Sequence, residues 1–170
     1  IQELLDAVKM DDERPFSIQK YFPTPQELLD VSSPARIVSQ EAYDEWLKNP
    51  TEFGKPMTQE MYDKYIAEFG SSNWYDWRVE NWGTKWDVYD TVEWDNDGFM
   101  FNTAWSTPFT AIDKLSIMFP DVKIRVDYFD EDFGHNVGTY TLQSGDVLEE
   151  CIPAPGEDSI RMAIKFDGGD

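Results

Sequence analysis

The spacing of apolar positions changes period about halfway along this chain. Ile1, Leu4, Leu5 and Val8 fall at i, i+3, i+4 and i+7, one face of a helix that runs out in Asp11-Asp12-Glu13-Arg14-Pro15. Phe16 to Phe22 reads as an extended aromatic stretch. Thr24-Pro25-Gln26-Glu27 predicts a capping box, with Thr24 as N-cap, Pro25 at the first helical position and Glu27 reaching back. A short helix through Leu28 and Leu29 then ends near Ser32-Ser33-Pro34. Ser39 caps a segment carrying Ala42, Tyr43, Trp46 and Leu47 on one face, stopped by Asn49-Pro50. Met57, Met61, Tyr62, Tyr65, Ile66 and Phe69 form a longer stripe ended by Gly70, read as core packing. A further helix is predicted from Trp74 to about Asn81, turned by Gly83.

From Lys85 the alternation is that of strands. Trp86, Val88 and Val92-Glu93-Trp94 pair with Phe99 to Trp105 across Asp95-Asn96-Asp97-Gly98, a hairpin signal because these residues tolerate positive φ. Thr107-Pro108 opens a helix with Phe109, Ile112, Leu115, Ser116 and Phe119, closed by Pro120. Val122, Ile124, Val126 and Tyr128 alternate with Lys123, Arg125 and Asp127. Val137 to Leu142, Val147 to Ile152 and Ile160 to Phe166 are expected as further strands, separated by Gly145-Asp146 and Pro153-Ala154-Pro155-Gly156. The order predicts an α+β class: a ferredoxin-like antiparallel sheet with helices on one face and a helical, Trp-rich insert. One domain spans 1–170, with the insert over about 23–84 and the strand-rich part over about 85–167. The first strand of that scheme is missing, as expected of a chain that starts late, at Ile1.

Composition narrows the function more than the fold. With 14 Lys and Arg against 34 Asp and Glu, the 170 residues carry a formal charge of −20. Nucleic-acid affinity depends on Lys and Arg contacts to phosphates, so direct binding to DNA or RNA is not expected. Anionic membranes are excluded as partners by the same sign of charge. One cysteine, Cys151, leaves no internal disulfide and no Cys-based zinc site. No apolar run of about 18 residues predicts a membrane span, and a bacterial cytoplasm is the expected location.

Four of the seven tryptophans and a tyrosine fall in Asn73-Trp-Tyr-Asp-Trp-Arg-Val-Glu-Asn-Trp-Gly-Thr-Lys-Trp86. Together with Phe101-Asn-Thr-Ala-Trp-Ser-Thr-Pro108, this tract resembles the signature of the YubB ferredoxin-like domain family. Leu115-Ser-Ile-Met-Phe-Pro120, Val126-Asp-Tyr128, Gly138-Thr-Tyr140 and Tyr21-Phe-Pro-Thr-Pro-Gln-Glu-Leu-Leu29 add to the likeness, which covers roughly residues 1–145. The resemblance implies a ferredoxin-like fold and a plasmid, phage or bacterial setting, and it transfers no catalytic residue. The name describes chain topology: one cysteine cannot hold an iron–sulfur cluster.

The candidate residues divide into indoles and carboxylates. Trp74, Trp77, Arg78, Trp82, Trp86 and Trp105 are read as a structural motif, with Arg78 ion-paired or stacked on an indole beside Asp76 and Glu80. Asp95-Asn-Asp-Gly98 mimics part of a calcium loop, but Ala104 stands where the bidentate Glu would be needed. His135 lies in a loop beside Asp130-Glu131-Asp132 and is assigned no catalytic role. Cys151 adjoins Glu150 and has no cationic neighbour in sequence to favour a thiolate. No catalytic, cofactor or metal residue is assigned.

Asp127, Asp130, Glu131, Asp132, Glu149, Glu150, Glu157 and Asp158 are the candidate partner-binding residues. Carboxylates arrayed along one edge steer toward a basic groove. The expectation is therefore a non-enzymatic, DNA-mimic-like protein of phage or plasmid type. Its partner would be a basic, nucleic-acid-binding protein such as a nuclease or a CRISPR or restriction component. One alternative is a small-ligand or enzymatic cleft at the Trp-rich insert; another is an accessory domain whose acidity only solubilises it. Carboxylates gathered on one face would favour the first reading over the last.

Overall fold

The computed structural model describes residues 1–94 and 98–168, and divides into two compact units, Ile1–Ala111 and Ile112–Asp170. The first unit holds six helices and a hairpin: α1 (Gln2–Val8), α2 (Ile18–Tyr21), α3 (Gln26–Leu29), α4 (Gln40–Lys48), α5 (Gln59–Phe69), α6 (Trp74–Trp82), β1 (Tyr89–Trp94) and β2 (Gly98–Asn102). Helix α7 (Phe109–Met118) carries the chain into the second unit, which continues with β3 (Ile124–Tyr128), β4 (Gly138–Gln143), β5 (Asp146–Cys151) and α8 (Glu157–Phe166). The mixture of helices and antiparallel sheets is the α+β class expected. The division falls inside α7, so the β1–β2 hairpin belongs with the helical part of the chain.

Local signals account for most of the helices. Ser39, Thr58 and Asn73 each accept a backbone N–H three residues on, which satisfies an orphan donor in the first turn. Gly70 and Gly83 end α5 and α6 with φ of +74° and +82°, a left-handed conformation that costs glycine nothing. The first core gathers around Leu4, Val8, Phe16, Ile18, Leu28 and Met57, all buried. Phe16 stacks on Phe101 at 4.8 Å and meets Phe99 at 5.4 Å, so one face of the hairpin covers it. The opposite face, with Val92 across from Met100, is exposed. Two parallel bridges, Val31 to Lys55 and Ile37 to Met57, tie the segment before α4 to the one before α5.

In the second unit the strands run in the order β3-β4-β5, all antiparallel. Ile112 of α7 packs on Tyr140 and Leu142 of β4, flanked by Ile124, Val126 and Tyr128 of β3. Residues Ser144 and Gly145 both have positive φ, +55° and +84°, which is the two-residue hairpin turn whose twist matches its strands.

Several expectations need correction. Ile160 to Phe166 is helical: Ser159 and Ala163 are buried at i, i+4, and the alternating Ile160 and Ile164 face out. A seven-residue run of mixed apolar residues satisfies both periods, and the Ser159 hydroxyl, accepting from Gly156 N, starts the helix. The stretch Phe16 to Phe22 contains α2, because Ser17 caps it locally and Asp87, 69 residues away, takes the Ile18 N–H. The capping box at Thr24 does not form. Pro25 is the N-cap without a side-chain bond, and the Thr24 hydroxyl is committed to Gln19 Oε1 and Arg78 Nε. Helix α4 forms behind its Ser39 cap as expected, but no residue of it is buried, and Leu47 is exposed. The tight turn expected at Asp95, Asn96 and Asp97 lies outside the described residues; Gly98 opens β2 opposite Trp94.

Candidate functional site

Two groups of side chains carry the chemistry of the first unit, and both lie in or beside the tryptophan tract. Asn73 starts α6 with a reciprocal bond, accepting from Asp76 N at 3.0 Å while its amide donates to the Asp76 carboxylate at 2.7 Å. This sets Trp77 and Trp82 inward. The two rings meet edge to face at 6.2 Å, and Trp77 meets Phe22 at 5.4 Å. The Trp82 indole donates to Phe22 O at 2.9 Å, so its single polar atom is satisfied within the core.

Arg78 projects between the rings. Its guanidinium carbon sits 5.3 Å from the Trp74 ring and 4.9 Å from the Trp82 ring, and Nε donates to Thr24 Oγ1 at 2.9 Å. Burial pulls the guanidinium below its ordinary pKa, with the charge of Asp87 acting the other way. Asp87 is itself committed, accepting from Ser17 Oγ at 2.6 Å and from Ile18 N at 2.7 Å. Arg78 therefore stacks on two indoles of its own helix and joins α6 to the segment at Thr24 by a hydrogen bond rather than by an ion pair.

Lys85, Trp86 and Trp105 form the second group. The Lys85 ammonium lies 3.9 Å from the centroid of the Trp86 ring and 3.6 Å from that of Trp105. Both indoles face solvent: Trp86 is 45% exposed and Trp105 80%. Trp105 adopts a φ of +68°, an unfavourable region for a bulky side chain. The loop that holds it is latched on both sides. Thr84 Oγ1 donates to Ala104 O at 3.3 Å, Thr103 Oγ1 to Ser106 O at 2.8 Å, and Ser106 Oγ to Gly83 O. The motif reading grouped these indoles with the packed ones and passed over Lys85. The sequence offered no signal against it, since Trp105 keeps the alternating parity of Phe99 and Phe101 in the strand expected there.

The candidate carboxylates all fall in the second unit, in four places. Asp127 and Glu149 share the sheet face opposite the Ile112–Tyr140–Leu142 core, since Asp127 pairs with Thr139 and Glu149 with Thr141. Glu150 pairs with Tyr140 and so belongs to the other face. Asp130, Glu131 and Asp132 lie in the loop after β3, and Glu157 and Asp158 in the first turn of α8. Half of the eight have local duties. Asp127 pairs with Arg125 at 3.0 Å, Glu157 with Arg161, and Asp132 lies 3.7 Å from His135 Nε2. Asp130 accepts from Asp132 N and from Asn136 Nδ2, bonds that hold its pKa below the usual carboxylate value. Among the described residues, Glu131, Glu149, Glu150 and Asp158 have no cation in ion-pair contact.

His135 and Cys151 are both exposed, the first in the loop and the second on β5. Among the described residues no three His, Cys, Asp or Glu side chains converge as a metal-binding set. No helix among them is long and apolar enough to cross a membrane.

Comparison with known proteins places this arrangement in a family. No curated protein and no solved structure gives a match. Residues 81–165, from the end of α6 to α8, match the family described as a ferredoxin-like domain in Api92-like protein, and carry the ferredoxin-like expectation without the YubB name. The match spans half of the 170 residues, and the chain belongs to that ferredoxin-like family.

Proposed function

We propose that this protein is a non-enzymatic binder of a basic protein surface, one that ordinarily holds nucleic acid. The observation that supports the reading is the size of the charge, −20, and not its disposition. The candidate carboxylates are spread over two sheet faces, a loop and a helix end rather than gathered on one face. Residues 1–111 hold 21 acidic and nine basic side chains, and residues 112–170 hold 13 and five, so both units are net negative. A field of one sign over both units attracts a cationic groove at long range and accelerates encounter. Glu131, Glu149, Glu150 and Asp158 then supply exposed carboxylates that no neighbouring cation already occupies. The resemblance of the tryptophan tract to YubB-type sequences adds a phage or plasmid setting in a bacterial cytoplasm, where a nuclease, CRISPR or restriction component is the natural target class.

Immobilised protein exposed to bacterial lysate tests the reading. Captured proteins should carry basic nucleic-acid-binding grooves, should be released by duplex DNA, and should leave the resin as salt rises. Replacement of the four unpaired carboxylates by Gln or Asn should weaken that capture. Partners without basic surfaces, or capture indifferent to both DNA and salt, would overturn the proposal and leave the acidity as a solubilising feature.

A further inference from the structure

We infer that Trp86 and Trp105 form an aromatic clamp for a cationic side chain, a Lys or Arg of the partner, and that Lys85 occupies the clamp in the free protein. The inference deepens the reading of a basic partner and rests on it for the identity of the occupant.

The geometry itself shows that a cation fits. An ammonium sits 3.9 Å from one ring centroid and 3.6 Å from the other, well inside the range at which the negative face of an indole attracts positive charge. The two rings are not using that position to build a core, because 45% of Trp86 and 80% of Trp105 remain exposed. Arg78 makes a useful contrast. It too lies between two indoles, but Trp82 is fully buried and Arg78 is fastened by a hydrogen bond to Thr24. Among the described residues Lys85 has no hydrogen-bond or ion-pair partner besides its two rings, in a chain with 34 carboxylates. Nothing but the indoles holds it in place.

Backbone features hold the clamp open to solvent. Trp105 keeps a φ of +68°, two hydroxyl bonds latch the strand-end loop to Gly83 and Thr84 just before Lys85, and a third, from Thr103 to Ser106, closes the loop on itself. A conformation of this cost persists when the surroundings impose it, and it places the second ring opposite the first. Lys85, on a four-carbon stem, can leave at the expense of two exposed cation–π contacts, and a partner's ammonium or guanidinium restores them. The charge of −20 raises the local concentration of such groups.

Tetramethylammonium chloride is the probe, titrated at constant ionic strength with indole fluorescence or indole N–H resonances as the readout. It cannot form hydrogen bonds, so binding reports the rings alone. Lys85→Ala, which empties the clamp, should bind it roughly 2- to 30-fold more tightly than the unaltered protein. Lys85→Ala combined with Trp105→Ala should lose that binding while keeping its circular dichroism, since Trp105 is largely outside the core. The neutral isostere tert-butanol should bind Lys85→Ala at least several-fold more weakly than the cation. Equal affinity for the unaltered protein and Lys85→Ala, binding that survives in the double variant, or equal binding of tert-butanol would each overturn the clamp. The titration uses no partner, so its failure leaves the charge-driven reading standing. Conversely, failure of DNA-competed capture leaves the clamp standing without its proposed occupant.

Discussion

Arg78 is held by two indole faces and a hydroxyl, although 34 carboxylates are available in the chain. A planar cation can cover both rings while its edge donates, which a lysine ammonium cannot do. Arg78→Ala is expected to cost about 1–3 kcal/mol, from two cation–π contacts, a hydrogen bond and the packed stem, as read from urea unfolding. Arg78→Lys should recover less than half of that loss; full recovery would mean that charge alone suffices. Asp113 on α7 is perturbed in the opposite sense from the loop carboxylate Asp130, because burial raises its pKa above 3.8. The folded protein thus binds this proton more tightly than the unfolded chain does. Its contribution is fully present below the unfolded value and is lost as pH rises through the folded one. Asp113→Asn should therefore be more stable than the unaltered protein at pH 7 and equal to it near pH 3. Stability curves that stay parallel across that range would exclude the assignment. Residue roles of this kind were legible only in outline. The sequence left Arg78 ion-paired or stacked on an indole; the indoles are its helical neighbours Trp74 and Trp82, but Thr24 as the hydrogen-bond acceptor depends on a contact 54 residues away.

Elements were legible where their start and stop signals are local. Ser39, Thr58 and Asn73 cap the helices that follow them, and Gly70 and Gly83 end theirs, each within one turn of the residues concerned. Elements whose signals are distant were misread. Helix α2 depends on Asp87 binding Ile18 N, and the Thr24 box fails because Gln19 and Arg78 use the hydroxyl first. The run from Ile160 to Phe166 fits either period, and burial of Ser159 and Ala163 decides for helix α8. The two glycine positions allow a direct test of element geometry. Gly70→Ala meets nothing within 4 Å and should lose only the left-handed penalty of about 1–2 kcal/mol. Gly145→Ala has the same sign of φ, but its Cβ would lie 2.9 Å from Ile117 Cγ1. It should lose about 1 kcal/mol more than Gly70→Ala by thermal or urea unfolding. Equal losses would show that Ile117 moves aside freely.

At the scale of the whole molecule, charge dominates. An excess of 20 negative charges opposes compaction, and dissolved salt screens that repulsion. Raising sodium chloride from about 10 mM to about 0.5 M should lift the melting temperature on the order of 5 °C. A melting temperature that stays flat or falls would mean that local ion pairs outweigh the general repulsion. The excess is present in both compact units and is not confined to one, and the eight candidate carboxylates of the second unit divide between sheet faces, loop and helix end. A partner engaging this field would meet a broad negative surface with an aromatic clamp in the first unit.

By itself the sequence determined the α+β class, the capped helices, the ferredoxin-like affiliation and the sign of the field, because periodicity, caps and charge are properties of neighbouring residues or of their sum. Tertiary structure alone decided which indoles are core and which are surface, which hydroxyl serves Arg78, and that Lys85 sits between two rings 19 residues apart in the chain, Trp86 and Trp105. Those outcomes turn on contacts between distant segments, and a residue's type says only what contacts it can make.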